Sequence, residues 1–177
     1  MKLDFYFFGQ IQKYKGLDIL VKSLEKLFEI NHKKIKLSIC GKGRDWEECA
    51  HLIHHPEQYN IQIRFIENSE VADLFSSHHF LVLPYRDATQ SGPIMIAANY
   101  GLPIICPQIE SFTQIYDKDS AIMYQQGNLF GALCKVNELS QYEYDNYRKH
   151  AKLLREKYSE LNVSNSYIRA LMNVLSD

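Results

Sequence analysis

The chain has 177 residues, of which 46% are hydrophobic, and its formal net charge at pH 7 is −1. This length favours a single domain with its own core, and the near-neutral charge argues against a general nucleic-acid binder, which is normally more basic. No apolar run approaches the roughly 18 residues that a membrane-spanning helix needs, and the first residues do not show the pattern of a signal peptide. We therefore expect a soluble globular domain that does not bind nucleic acid.

Short apolar runs typical of buried strands alternate along the chain with segments of helical periodicity. The predicted strands are residues 3–8, 35–40, 61–66, 79–83, 102–106 and 121–124. The predicted helices are residues 16–30, 44–55, 69–75, 93–100, 111–116, 128–139, 141–158 and 163–175. This alternation predicts an α/β fold, with a single Rossmann-like, doubly wound parallel sheet and helices on both faces.

The cysteines and histidines give no sign of a disulfide framework or a metal site. The four cysteines are far apart and form no C-x-x-C pair, and three of them lie in or beside apolar runs. This favours reduced core residues in a cytoplasmic protein. His51 and His55 have the spacing of metal ligands on a helix, but no third ligand is evident, so we interpret them as part of a solvated helical face.

Three loops follow predicted strands at the edge where parallel sheets bind ligands, namely residues 9–16, 41–44 and 87–92. Their glycines allow a ligand to approach the backbone closely, and Lys15 offers a flexible cation for phosphate. The third loop is polar and enters a helix that begins near Pro93 and ends at Gly101. Because helix N-termini bind anions, the residues predict an α/β domain with an anion site, but they predict no reaction.

Five segments resemble, in order, the nucleotide-binding half of the retaining GT-B glycosyltransferases of family 4 (group 1). They are FGQ…KGLDIL at residues 8–20, LSICGKG at 37–43, IRFIEN at 63–68, FLVLPY at 80–85 and NYGLPII at 99–105. The resemblance implies the C-terminal, donor-binding domain of an enzyme that works with a separate acceptor domain, in the cleft between the two, without a metal or another cofactor. Since the first matched segment ends the strand that begins at residue 3, we expect an excised C-terminal half or a truncated reading frame, with residues 141–177 packing on a missing N-terminal domain.

The resemblance also implies the partners and the site. The donor would be a UDP- or GDP-sugar and the acceptor a glycan or a lipid-linked glycan, in cell-surface polysaccharide synthesis such as that of capsule or lipopolysaccharide. The full enzyme would be cytoplasmic, with peripheral association at the inner face of the membrane. Lys15 matches the family lysine that contacts the donor diphosphate, and we expect it to stabilise the leaving group. The expected substrate-binding residues are Gly9, Gln10, Lys15, Gly41, Gly43, Thr89, Gln90, Ser91, Gly92 and Ile94.

The chain departs from the family pattern at three positions. Gln10 stands where the family usually has arginine. Ala88 and Ile96 stand where it usually has two glutamates, the first serving the donor sugar and the second the ribose hydroxyls. We interpret Thr89-Gln90-Ser91-Gly92 as a variant loop that a subset of the family carries. Its amides and hydroxyls suit a diphosphate, because phosphate requires hydrogen-bond donors rather than carboxylates.

Two other functions stay open at this point. A non-catalytic nucleotide-binding or interaction module of GT-B descent is favoured by the absence of the two glutamates at Ala88 and Ile96. Half of a GT-B epimerase acting on UDP-GlcNAc is the weaker alternative. Binding of nucleoside diphosphates would separate a donor domain from an interaction module that holds no nucleotide.

Overall fold

The structure, a computed structural model, describes residues 2–30, 35–87 and 91–158. Its strands are β1 (Leu3–Phe8), β2 (Ile35–Gly41), β3 (Tyr59–Ile63), β4 (Phe80–Val82), β5 (Ile104–Pro107) and β6 (Ala121–Tyr124). They form one parallel sheet in the order β3-β2-β1-β4-β5-β6. The chain moves outward from β1 in one direction and from β4 in the other, so the topological switch point lies between these two strands.

Helices connect the strands. They are α1 (Leu17–Ile30), α2 (Trp46–Ala50), α3 (Asn68–Ser77), α4 (Gly92–Tyr100), α5 (Glu110–Thr113), α6 (Leu129–Asn137) and α7 (Gln141–Lys157). Two one-turn 3₁₀ helices add to these, at Lys13–Lys15 and Pro56–Gln58.

The side chains of β1 alternate between two cores, one on each face of the sheet. Phe5 and Phe7 are buried in the core that includes α1 and α6, whereas Tyr6 is buried in the core that includes α3 and α4. This alternation follows from the two-residue period of a strand. Both faces are covered, and the predicted Rossmann-like, doubly wound α/β fold is confirmed.

The helix predicted at residues 44–55 is much shorter, because α2 covers only Trp46–Ala50. Beyond it, the amides of Leu52 and Ile53 donate to the carbonyls three residues earlier, which tightens the chain into a turn. His55 then adopts φ −116° and ψ 64°. It precedes Pro56, and proline disfavours the helical region for the residue before it.

The next two elements also differ from the prediction. β3 ends at Ile63 rather than 66, because the Arg64 amide turns back to the Gln62 carbonyl at 3.0 Å. α3 is capped by Glu67 rather than Ser69. The Glu70 side chain accepts the Glu67 amide at 3.0 Å, so the two glutamates form a capping box.

α7 packs against α4, and its Tyr144 ring contacts Phe80 at the start of β4, with centroids 5.6 Å apart. α7 is the first part of the segment expected to pack on an acceptor domain, and it packs within this domain. The helix expected at 163–175 lies outside the described residues, and its contact with an acceptor domain stays a prediction. Across residues 2–30, 35–87 and 91–158, no helix has both the length and the apolar character needed to cross a membrane.

Candidate functional site

The loop after β1 crosses the carboxyl edge of the sheet and reaches the end of β4. Gly16 lies so close to Pro84 that a Cβ atom there would be 1.9 Å from the Pro84 carbonyl oxygen. Its φ of +69° is in the left-handed region, which favours glycine. Glycine at this position therefore allows the preceding residue, Lys15, to enter the crevice at the switch point.

Lys15 is only 7% exposed. Its Nζ donates a hydrogen bond to the phenol oxygen of Tyr85 at 2.5 Å and lies 4.1 Å from the centroid of the same ring. The Ser91 hydroxyl donates to that oxygen at 3.3 Å. Tyr85 and Ser91 are also buried. The loop after β1, the end of β4 and the residue before α4 thus meet in one polar contact, which we call the Lys15–Tyr85–Ser91 cluster.

The charge of this cluster is not neutralised by the part of the protein that the structure describes. None of the ion pairs there includes Lys15. Burial lowers the pKa of Lys15 to about 8, because the charged form loses its hydration. Burial raises the pKa of Tyr85 to about 12, so the phenol is neutral wherever the amine is charged. A positive charge with only neutral partners is a favourable place for an anion.

An ion pair holds the same loop from the outside. Arg86 donates both terminal nitrogens to the two carboxylate oxygens of Asp18, at 2.9 and 2.7 Å. It also donates to the carbonyl of Lys13, and its own amide donates to the Tyr14 carbonyl at 2.8 Å. Burial raises the pKa of Asp18, but the hydrogen bonds and charge of Arg86, together with the nearby Lys22, lower it by more, so the net shift is downward. The two residues fix the Lys15 loop to the end of β4.

The loop after β2 packs on the loop after β1. Gly41 lies beside Gly9, where a Cβ atom would be 1.8 Å from the Gly9 carbonyl oxygen. A Cβ atom on Gly43 would lie 1.9 Å from the Ile11 carbonyl oxygen. Gly43 therefore contacts the neighbouring loop, and its predicted contact with substrate stays a prediction.

A cleft of about 290 Å³ opens beside these loops, at the carboxyl ends of β1, β2 and β3. Its walls include Gly9, Gln10 and Gly41 from the predicted set, together with Lys42 and the 64–66 segment. The Phe65 side chain is 60% exposed there, and the Lys42 amine lies 5.8 Å from its ring centroid. The cleft thus combines an aromatic surface with a cation.

The start of α4 forms a second cleft, of about 390 Å³, with α5 on its other side. Ser91, Gly92 and Met95 line it from α4, and Ser111 and Gln114 line it from α5. No heavy atom lies within 4 Å of a Cβ built on Gly92, among the residues whose positions are described.

The predicted site also includes Thr89, Gln90 and Ile94. The side chain of Ile94 is buried and its amide donates to the Ser91 carbonyl at 3.2 Å. Ile94 also lines the cleft between α4 and α5, and its predicted contact with substrate stays a prediction. Thr89 and Gln90 lie outside the described residues.

Sequence reasoning missed Tyr85, the Asp18–Arg86 pair and Phe65. The only available signal was that Tyr85 stands where the resembled family has a small serine after proline. The others depend on contacts between residues far apart in the chain, which local patterns do not reveal.

His51 and His55, whose spacing resembles that of metal ligands, differ in their surroundings. In the described part of the chain, no three His, Cys, Asp or Glu side chains cluster in a way that would hold a metal ion. His55 contacts the buried Glu25 carboxylate through Nδ1 at 2.6 Å, and the Tyr59 hydroxyl donates to the same carboxylate at 2.8 Å. His51 is exposed, as expected, but His55 is not part of a solvated helical face.

Comparison with known sequences identifies a family. The sequence profile of Glycosyl transferases group 1 matches residues 2–139. A curated relative from Xanthomonas campestris pv. campestris, GDP-mannose:glycolipid 4-beta-D-mannosyltransferase, is 26% identical over 116 residues. The match covers 63% of this chain and 32% of the relative, so it spans about a third of that enzyme.

Comparison with solved structures supports the fold. The C-terminal domain of LpcC, a glycosyl transferase group 1 family protein from Francisella tularensis, matches with a TM-score of 0.74 at 14% identity, over 88% of this chain and 85% of that one. The pneumococcal O-GlcNAc transferase GtfA, solved with UDP and GlcNAc, matches with a TM-score of 0.77 at 15% identity, over 99% of this chain and 36% of that one. The family profile covers most of the chain, and the fold is that of the C-terminal half of a GT-B enzyme. This chain therefore belongs to the glycosyl transferases group 1 family.

Proposed function

We propose that this chain is the donor-binding half of a retaining glycosyltransferase and holds the diphosphate of a UDP- or GDP-sugar at the crevice between β1 and β4. The observation that carries the proposal is the buried Lys15 ammonium, whose hydrogen-bond partner in the described chain is a neutral phenol. A diphosphate would supply the missing negative charge. The same charge–charge contact would strengthen as the nucleoside diphosphate leaves, which is the step that the enzyme must stabilise.

The surrounding clefts suit the other parts of a donor. The cleft at β1, β2 and β3 has the Phe65 ring for stacking a base and lies beside Gly9. The cleft between α4 and α5 offers the hydroxyl of Ser91 and the amide of Gln114 to a sugar. The X. campestris relative is named for GDP-mannose and GtfA was solved with UDP, so both nucleotides belong in the test.

An acceptor domain is proposed to close over the carboxyl edge. Tyr14, Phe65 and Met95 are 43%, 60% and 42% exposed, and all three follow the carboxyl ends of strands. It is their shared position at this edge that supports the proposal, since other exposed apolar side chains, such as Ile30 and Tyr142, lie elsewhere on the domain. The same proposal includes a glycan acceptor and a role in cell-surface polysaccharide synthesis. It also includes metal independence and membrane association of the full enzyme.

The retaining outcome rests on the family resemblance. The relative from X. campestris is instead named for a 4-β-D-mannosyl product, which would be inversion for that enzyme if its donor is α-linked. If the donor of the full enzyme is an α-linked nucleotide-sugar, retention gives an α-linked product, and the anomeric signal in the proton NMR spectrum of the product measures this. A β-linked product would overturn retention without affecting the donor site.

A non-catalytic nucleotide-binding module is the second candidate. Ile96 stands at one glutamate position of the family and packs against the core that includes α3 and α4, so it gives the ribose no carboxylate. Donor hydrolysis or transfer by the full-length enzyme supports the first candidate, and nucleotide binding without either reaction supports the second.

Calorimetric titration of the chain with UDP, GDP and ADP tests the donor site. Lys15→Ala is expected to weaken binding of the preferred nucleoside diphosphate by about tenfold to a hundredfold, which corresponds to the loss of a charged hydrogen bond. The effect on the matching monophosphate should be much smaller. Lys13→Ala is the control, because it removes the same charge from an exposed position in the same loop. A folded wild-type chain that binds none of the three would contradict the proposal.

A further inference from the structure

We propose that Tyr85 is a positioning residue for the phosphate-binding amine of Lys15. The inference deepens the proposed function and rests on it. Tyr85 contacts the amine in two ways, since its oxygen accepts a hydrogen bond from Nζ at 2.5 Å and its ring centroid lies 4.1 Å from Nζ. Its role is therefore to hold the charged end of Lys15 at the switch point before a ligand arrives.

Lysine needs such a partner because its side chain is long and flexible. Tyr85 is itself fixed, being 2% exposed, with its ring 5.5 Å from that of Phe112 at an interplanar angle of 62°. Ser91 donates to its oxygen from the residue before α4. A rigid hydroxyl thus ties the amine to the helix terminus where the polar loop enters.

Tyr85 also leaves the charge of Lys15 available. A carboxylate at this position would neutralise the amine and compete with a phosphate, whereas a phenol accepts a hydrogen bond from the amine and leaves its charge unneutralised. The nearby charged residues, Asp18 on α1 and Arg86 after β4, are paired with each other. The Tyr14 ring lies farther from the amine, at 5.3 Å.

This arrangement has a consequence for pH dependence. Burial lowers the pKa of Lys15 to about 8, and an acceptor hydrogen bond favours the charged form. Removing the Tyr85 hydroxyl should lower the pKa of the amine further. Binding of a diphosphate would then be lost at a lower pH, because it requires the protonated amine.

The test is the pH profile of nucleoside diphosphate binding, from pH 6.5 to 9.5, for wild type, Tyr85→Phe and Tyr14→Phe. Tyr85→Phe keeps the ring and loses the hydroxyl. We expect its affinity to be about tenfold below wild type at pH 8.5 and within about twofold at pH 6.5, as for a one-unit fall in pKa. Tyr14→Phe is the control, since the Tyr14 ring lies near the same amine and the change removes a phenol hydroxyl without removing the Lys15 hydrogen bond. Its profile should follow that of wild type.

A structural role for Tyr85 would weaken binding equally at every pH, and that result would overturn the inference, as would an unchanged profile. The pKa of Lys15 in ligand-free Tyr85→Phe, measured by NMR of the lysine side chain, gives a readout that does not depend on affinity. It should be below the wild-type value, and an equal or higher value would overturn the inference. If wild type binds and Lys15→Ala weakens binding while Tyr85→Phe behaves as wild type, the inference alone fails. If wild type binds no nucleoside diphosphate, the proposed function fails with it.

Discussion

At the scale of single residues, the domain holds two buried charges in different ways. Glu25 is 6% exposed and is satisfied within the protein by His55 and Tyr59. Lys15 is almost as buried, yet its hydrogen bond goes to a neutral phenol. A buried charge normally has a charged or strongly polar partner. The contrast supports a stabilising role for Glu25 and the proposed binding role for Lys15.

The Glu25 cluster predicts a pH-dependent stability. Burial raises the pKa of Glu25, but the hydrogen bonds from His55 and Tyr59 lower it more, so the folded pKa is below the unfolded value of about 4.3. The ionised carboxylate therefore stabilises the folded state above about pH 4.3, and this stabilisation is lost as the pH falls through the lower folded pKa. The hydrogen bond to Glu25 raises the pKa of His55 above its unfolded value of about 6.5. Protonated His55 therefore stabilises the folded state below about pH 6.5, and this stabilisation is lost as the pH rises through the higher folded pKa. Both stabilising effects are therefore fully present between these two unfolded values.

Glu25→Gln should thus lower the free energy of unfolding by about 2 kcal/mol at pH 5.5 and by less at pH 8.5. Urea denaturation at the two pH values measures the difference. Tyr59→Phe is the control, because it removes a hydrogen bond from the same carboxylate without removing a charge. Equal losses for Glu25→Gln at both pH values would show that the His55 contact contributes no charge interaction.

At the scale of elements, sequence patterns located most strands well. β1 and β6 have the predicted bounds, because short apolar runs end there at glycine or at polar residues. α2 was overestimated, since the apolar period continues through residues 51–53 while the backbone turns. The predicted loops at 9–16 and 41–44 lie at one edge of the sheet, as do the described residues of the third loop, 87 and 91–92. The contact between Lys15 and Tyr85 spans 70 positions, and no periodic pattern predicts a contact of that kind.

Two glycines of the predicted site are expected to respond differently to substitution. Gly43→Ala places a Cβ atom 1.9 Å from the Ile11 carbonyl oxygen. It should therefore lower the free energy of unfolding by about 2 kcal/mol or more, through a forced shift of the backbone. Gly92→Ala meets no described atom within 4 Å and should change stability by about 0.5 kcal/mol or less.

Thermal and urea unfolding of the two variants measure this contrast, and calorimetry measures their binding. Gly92→Ala should nevertheless weaken nucleoside diphosphate binding, because the methyl group would occupy the open space in front of α4. Unchanged affinity in this variant would place the ligand away from the helix start.

At the scale of the whole molecule, the fold brings ligand chemistry to one edge. The strand order places the switch point between β1 and β4, and the Lys15–Tyr85–Ser91 cluster lies there. Both clefts and the exposed Tyr14, Phe65 and Met95 are on the same side. The opposite end is occupied by α7, where Tyr144 covers the start of β4. The proposed acceptor domain would face the side that carries both clefts.

The proposed function requires that a bound nucleoside diphosphate neutralise the buried positive charge of Lys15. The most direct measurement is the pKa of Lys15, followed by NMR of its side chain, with and without saturating UDP or GDP. We expect a value of about 8 in the free chain and a rise on binding, because a phosphate oxyanion beside the amine stabilises the protonated form. The same pKa in the free and the nucleotide-saturated chain would show that the diphosphate does not contact Lys15 and would contradict the account.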